Sequence, residues 1–195
     1  MCTILSLSES LLVSLVLYVC GHIDLLSKRI NEFSMNCQNN QENNSLAPII
    51  KQHQKIMNIV DKIETVYTYG SFLQVFLSTF MMCCAGFMVL TESNDIMILM
   101  KYSMVCVTVT WQEYSFCFFG QRLINKSEQI SHKVYDTFWY NAKPSEIRAI
   151  AYIIKIAQIP LKLTAGKFTS LSAETFTSIM KTSFSYLSVL KATNM

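Results

Sequence analysis

The run Thr65–Thr91, TVYTYGSFLQVFLSTFMMCCAGFMVLT, decides the fold: 27 residues carry no charge, with Glu64 before them and Glu92 after them. A bilayer-spanning helix needs about 20 mostly apolar residues. This run is long enough to span with some tilt. It is too long for an ordinary buried strand, and a soluble core helix rarely stays apolar on every face for that length. The chain therefore reads as a membrane protein.

Working outward, the residues just upstream change character. Ile49, Ile56, Ile59, Val60 and Ile63 recur at helical spacing among polar neighbours. That pattern predicts an amphipathic helix that runs into the uncharged span. Before it, NCQNNQENNS (Asn36–Ser45) reads as a loop tip, with Pro48 following. The first segment, Met1–Ile23, has Glu9 as its single charge. It lacks the basic start and small-residue cleavage site of a signal peptide, and is expected to be a membrane helix clipped at its outer end.

Downstream, Ile96–Gly120 is a third apolar segment, with Lys101 towards one end and Glu113 towards the other. Intramembrane charges are costly and face protein or water. Glu113, beside Gln112, either pairs or lines a wet cavity, or marks the membrane boundary. Residues 121–148 are polar. Ala149–Leu161 is apolar but too short to span, and Pro160 and Gly166 break it.

The last segment, Ser170–Leu190, carries a pattern. At about 100° per residue, Glu174, Thr177, Ser178, Lys181, Ser185 and Ser188 fall on one face. Phe176, Ile179, Met180, Leu187 and Leu190 fall opposite, with Ser183 the exception. Alone, this stripe suits a surface amphipathic helix. In a chain already placed in a bilayer it suits a pore-lining helix, whose polar side wants water.

The expected architecture is all-α: a polytopic transmembrane helical bundle of four spans, near 3–23, 66–90, 96–120 and 170–190, forming one membrane domain over 1–195. The segments 24–64 and 121–165 are loops. The first carries Lys28, Arg29, Lys51, Lys55 and Lys62, and the second carries Arg122, Lys126, Lys133, Lys143 and Arg148. Residues 91–95 hold no Lys or Arg, and their charges are Glu92 and Asp95. The positive-inside rule puts both long loops in the cytoplasm and the C-terminus outside. The sequons Asn43-Asn44-Ser45 and Asn125-Lys126-Ser127 should then carry no glycan.

Composition excludes other classes. Charged residues are 15% of the chain, against about 25% in average soluble proteins. A net charge of +3 is too small to argue for nucleic acid. The seven cysteines show no regular spacing, so no disulfide framework is read. No CxxC or HxxxH pair exists, and no metal or cofactor is expected. Adjacent Cys83 and Cys84 read as small hydrophobes. His132 and Asp136, four residues apart, read as a solvated helix face. Trp111 and Trp139 read as interface anchors or packing. No Gly-rich phosphate loop or supported Ser/His/Asp set occurs, and no enzyme is expected.

From Glu113 to Leu190 the chain resembles the C-terminal region of insect odorant receptors. Phe116-Cys117-Phe118-Phe119-Gly120, then Leu123 and Ser127, is similar to that family's aromatic-Cys-x-x-Gly-x-x-Leu pattern with its following Ser. Tyr135 and Trp139 match its Tyr-x-x-x-Trp. Ile159-Pro160, Leu163, Ala165-Gly166 and Phe168 resemble the stretch before its last helix. Leu171-Ser172, Thr175-Phe176 and Ser183-Phe184-Ser185-Tyr186 match its closing run, with Phe184 where Tyr is commoner.

The resemblance implies the fourth to seventh helices of a seven-helix receptor with an external C-terminus. It implies a tuning subunit that forms a hetero-tetrameric, ligand-gated cation channel with an olfactory co-receptor, in the plasma membrane of olfactory sensory neurons. The partners it implies are that co-receptor, membrane lipid and a volatile odorant. Cytoplasmic helix ends would hold the subunits together. The last helix would line the pore, with the outer gate near Val189 and with Ala192 and Thr193 a turn beyond. Lys191 departs from the co-receptor's apolar residue. Odorant-contact candidates, from helix direction, are Phe80, Cys83, Cys84, Phe87 and Met88, then Met100, Met104 and Val107. For each of them, packing against a neighbouring helix or lipid is the competing reading. Rival functions are a truncated, non-responsive fragment acting only in assembly, and a G-protein-coupled receptor fragment.

Overall fold

A computed structural model describes residues 2–38, 46–91, 95–137 and 144–193. The elements in chain order are α1 (Cys2–Gln38), α2 (Ala47–Thr91), α3 (Ile96–Tyr135), α4 (Pro144–Ala157), β1 (Thr164–Ala165), β2 (Thr169–Ser170) and α5 (Ala173–Thr193). Trp139 and the sequon at Asn43 lie outside the described residues.

The helices start where the sequence supplies the means. Pro48 sits in the first turn of α2, where a missing N–H costs nothing. Leu46 C=O accepts the N–H groups of Ile49 and Ile50, both at 3.1 Å. Pro144 opens α4 in the same way. At α5, Ser172 Oγ accepts the Thr175 N–H at 3.3 Å, which caps the helix, and Glu174 places a negative charge in its first turn.

Helix length sets the next level. α1 has 37 residues, α2 has 45 and α3 has 40. At about 1.5 Å per residue, each far exceeds the bilayer's apolar thickness of about 30 Å. Most of the surplus falls in segments 24–64 and 121–165, which are largely helical. Among the described residues, two stretches are long and apolar enough to cross a membrane, Ser6–Met35 and Ala47–Val89. α3 and α5 are less apolar, with Lys101 and Glu113 in one and Glu174 and Lys181 in the other.

The chain divides into two compact units. The first comprises Met1–Leu12, Val66–Gln121 and Leu163–Met195, and the second Val13–Thr65 and Arg122–Lys162.

Along α2 in the first unit the usual order of inside and outside is reversed. The buried face of α2 is polar over Thr68, Ser71, Gln74 and Ser78 before it turns apolar at Met82 and Ala85. Its outward positions are Val66, Tyr69, Phe72, Leu73, Phe76 and Phe80, all exposed. Glu113 is buried on α3, and its Oε1 accepts a hydrogen bond from Ser78 Oγ. Glu113 therefore sits inside the bundle, bonded to a hydroxyl rather than a cation. Gly120 packs against Leu171, where an added Cβ would lie 2.7 Å from the Leu171 Cβ. The turn between β1 and β2 has positive φ at Gly166 (64°) and Lys167 (62°), with Phe168 N–H bonded to Ala165 C=O at 3.2 Å. Two consecutive positive φ values make it a type I′ turn. Gly166 N–H also reaches Thr68 C=O at 2.9 Å, tying the hairpin to α2.

Beyond the first apolar segment, which reaches Ile23, the second unit follows the rule of water-soluble proteins. Val16, Val19, Ile23, Leu26 and Ile30 form one buried row on α1. Ile49, Ile56, Val60 and Ile63 form another on α2, as the spacing predicts. Leu123, Ile130 and Val134 of α3 and Ile150 and Ile153 of α4 complete the core. Ser127 Oγ accepts the Leu161 N–H at 2.9 Å, and Gln52 Nε2 donates to His22 C=O at 3.3 Å. Lys126 and Asp24 form an ion pair. Both ends are partly exposed, so the pair adds under about 1 kcal/mol.

Candidate functional site

A cavity with a volume of ≈ 850 Å³ lies in the first unit. α2 lines it with Met82, Gly86 and Val89, and α3 with Ser103, Cys106, Val107, Thr110, Trp111 and Tyr114. α5 contributes Phe176, Met180, Phe184, Leu187, Ser188 and Lys191. The wall is almost wholly apolar. Its hydroxyls are largely consumed by their own helices: Thr110 Oγ1 donates to Cys106 C=O at 2.7 Å, and Ser103 Oγ to Met100 C=O at 2.8 Å. Tyr114 meets the Phe176 ring edge-on, with centroids 5.8 Å apart. Gly86 leaves room for Leu187, whose side chain would lie 2.8 Å from an added Cβ. Such a surface holds a ligand by shape and dispersion, with Lys191 supplying the one charge at its edge.

Of the odorant-contact candidates, Val107 lines this cavity. Phe80, Cys83, Cys84, Phe87 and Met88 lie outside its lining, as do Met100 and Met104. On α2 the lining positions 82, 86 and 89 fall about half a turn away from 80, 83, 84, 87 and 88. Phe80, Met100 and Met104 are exposed on the outer surface, and Cys84 is exposed too. Cys83 is half-buried.

α5 keeps its two faces distinct. Glu174, Thr177, Ser178, Lys181, Ser185, Ser188, Val189 and Ala192 are all exposed along one side. Thr193 closes the same helix. Two of the hydroxyls return to the helix, Thr177 Oγ1 to Ala173 C=O at 2.9 Å and Ser188 Oγ to Ser185 C=O at 2.7 Å. Ser183, the exception in the pattern, is fully buried and donates to Ile179 C=O at 2.9 Å. The large cavity flanks the stripe on one side and meets it at Ser188. A second cavity of ≈ 470 Å³ flanks it on the other and includes Glu174 and Ser178 together with Phe72, Phe76 and Phe168. Thus α5 carries a polar outer strip with an apolar hollow on each side. Among the described residues, no group of three or more His, Cys, Asp or Glu is placed to hold a metal. His132 and Asp136 are exposed at the end of α3.

These features meet known proteins in one place. The 7tm Odorant receptor family profile matches residues 1–184. The chain belongs to the odorant receptor family. Odorant receptor 67c of Drosophila melanogaster is 22% identical over 187 residues, which are 95% of this chain and 46% of that protein. Odorant receptor 13a of the same fly is 25% identical over 206 residues, covering 97% of this chain and 49% of that protein. The chain therefore spans about half the length of the relatives it matches.

Among solved structures it is similar to the insect olfactory receptor OR5 from Machilis hrabei in complex with eugenol. The TM-score is 0.81 at 19% identity, over 94% of this chain and 47% of that one. A second structure of the same receptor gives 0.83 at 17%. This likeness shows the fold: a helical membrane bundle of the odorant receptor type.

The family's motif residues have visible structural tasks in this chain. Phe116 and Cys117 are buried, Gly120 admits Leu171, and Leu123 is buried. Ser127 holds the Leu161 backbone, and Ser172 caps α5. Reasoning from sequence missed Met82, Gly86 and Val89. Size separates Gly86 from Phe80, Phe87 and Met88, because small residues let helices approach closely while bulky apolar ones can face lipid.

Proposed function

We propose that the chain is a tuning subunit of a cation channel gated by volatile odorants. It would assemble with an olfactory co-receptor as a hetero-tetramer in the plasma membrane of olfactory sensory neurons. Its four spans would place segments 24–64 and 121–165 in the cytoplasm and the C-terminus outside. The observation that carries the reading is α5, with an exposed strip of hydroxyls and charges bordered by an apolar cavity. One helix can thus meet an ion path along its strip and a ligand along its flank. A volatile that fits the cavity better in one arrangement of α5 shifts the population towards that arrangement. Its differential affinity sets how far the channel opens. Apolar, compact ligands suit the wall. Glu174 and Lys181 would set the charge along the strip.

The test is voltage clamp of cells expressing the chain with the co-receptor, exposed to a panel of volatile esters, alcohols and phenols. Odour-evoked cation current is expected, and Lys181→Glu is expected to change its conductance. Unchanged currents would remove Lys181 from the ion path. Co-precipitation with the co-receptor but no current from any volatile would reduce the role to assembly. Glycan on Asn125 would overturn the orientation.

A further inference from the structure

The second unit holds a groove that the proposed gating does not use. It lies between α1 and α2, has a volume of ≈ 750 Å³, and is lined by Arg29, Lys51, Lys55 and Lys62 with the amides of Gln52 and Asn58. No carboxylate lines it. All four cations are exposed, and among the described residues none of them is in an ion pair. Like charges gathered in one concavity raise the potential there and repel one another until an anion fills the space. The N-terminal end of α2 adds its own positive pole at Pro48 and Lys51.

The position of the groove narrows the occupant. Lys62 lies less than one helical turn before the uncharged run that begins at Thr65. Lys55 and Lys51 follow about two and three turns further from it. Arg29 lies shortly beyond the first apolar segment. The row thus starts at the membrane surface and extends into the aqueous side. A single phosphate at the surface would meet Lys62 and leave the rest unmatched. A headgroup bearing several phosphates would reach further along the row.

We propose that this groove binds the polyphosphorylated inositol headgroup of an inner-leaflet lipid. Phosphate oxygens accept charge-assisted hydrogen bonds from Arg29, Lys51, Lys55 and Lys62, and the Asn58 amide adds a neutral donor. The proposal rests on the inward orientation of segment 24–64. The test does not, because nanodiscs expose both membrane faces.

The full chain is placed in phosphatidylcholine nanodiscs and titrated with short-chain phosphatidylinositol bisphosphate, with short-chain phosphatidylserine at matched charge, and with inositol trisphosphate as the bare headgroup. Saturable binding of the bisphosphate lipid is expected, at least about ten-fold tighter than phosphatidylserine and than the bare headgroup. The double variant Lys51→Gln/Lys55→Gln should weaken it about ten-fold or more. Lys133→Gln/Lys155→Gln, which removes two cations of the same unit outside the groove, should leave it unchanged. Equal loss in both double variants would overturn the proposal, because net charge alone would then explain binding. Equal affinity for phosphatidylserine would also overturn it, and so would equal affinity for the bare headgroup, which would make the ligand a soluble polyphosphate.

Discussion

The two units obey opposite burial rules within one chain. In the first, Thr68, Ser71, Gln74, Ser78 and Glu113 are buried while Phe72, Leu73, Phe76 and Phe80 are exposed. In the second, Leu26, Ile30, Ile56, Val60 and Ile130 are buried, and lysines and glutamates cover the outside. The same α2 helix contributes to both, and it changes rule near Thr65. The difference teaches which solvent each part meets. In lipid, apolar side chains lose nothing by facing out, so polar groups collect inside where they find partners. In water, apolar burial drives packing and polar groups face out.

The largest way to stress this contrast is in the second unit's core. Leu26, which has 0% exposure, truncated in Leu26→Ala, should cost about 2–5 kcal/mol through lost burial and the cavity left behind. Thermal unfolding in detergent would read it, and a midpoint unchanged from the parent would place Leu26 outside a water-type core. Next is a charge on the first unit's outer face. Phe80→Arg puts a guanidinium where lipid is expected, near the middle of the 66–90 span, at about 2.5–3.5 kcal/mol. Insertion efficiency at the membrane should fall accordingly. Full insertion would instead return Phe80 to a watery or protein-lined setting.

The smallest effect concerns His53 in the second unit. Burial holds its imidazole below the ordinary value of 6.5. Below that pH the unfolded chain takes up a proton that the folded chain refuses, so folding stability falls as pH drops. Melting points should decline from pH 7 towards 5.5, and His53→Gln should flatten that decline. A decline of the same slope in the variant would assign it to other groups.

Much of this architecture is legible in the sequence, and each failure has a physical cause. The uncharged run marks a helix, and Ile49, Ile56, Val60 and Ile63 mark the buried face of its aqueous extension. The polar strip of α5 is readable from its spacing and is exposed along its length. The large cavity is not, because Phe80, Phe87 and Met88 attract attention as apolar candidates while Met82, Gly86 and Val89 line the hollow. Apolarity points inward only when water is outside. Helix extent is also hidden: α1 runs on to Gln38 and α3 to Tyr135, because a polar segment with one apolar stripe reads equally as a loop or as a helix over a core. The β1–β2 hairpin has only Gly166 as a signal, and Lys167 adopts its positive φ with no residue-type cue.

The most direct measurement of the two-solvent division is thiol labelling with a membrane-impermeant maleimide, in a chain stripped of its native cysteines. Only thiolate in water reacts quickly. Leu73→Cys and Glu128→Cys replace two exposed residues, one in each unit. In permeabilised cells the cysteine at 128 is expected to label fully while the one at 73 stays unlabelled, although both side chains lie on the surface. Equal labelling of the two would mean that water bathes the apolar face of α2, and the division into a lipid-facing and a water-facing unit would fail.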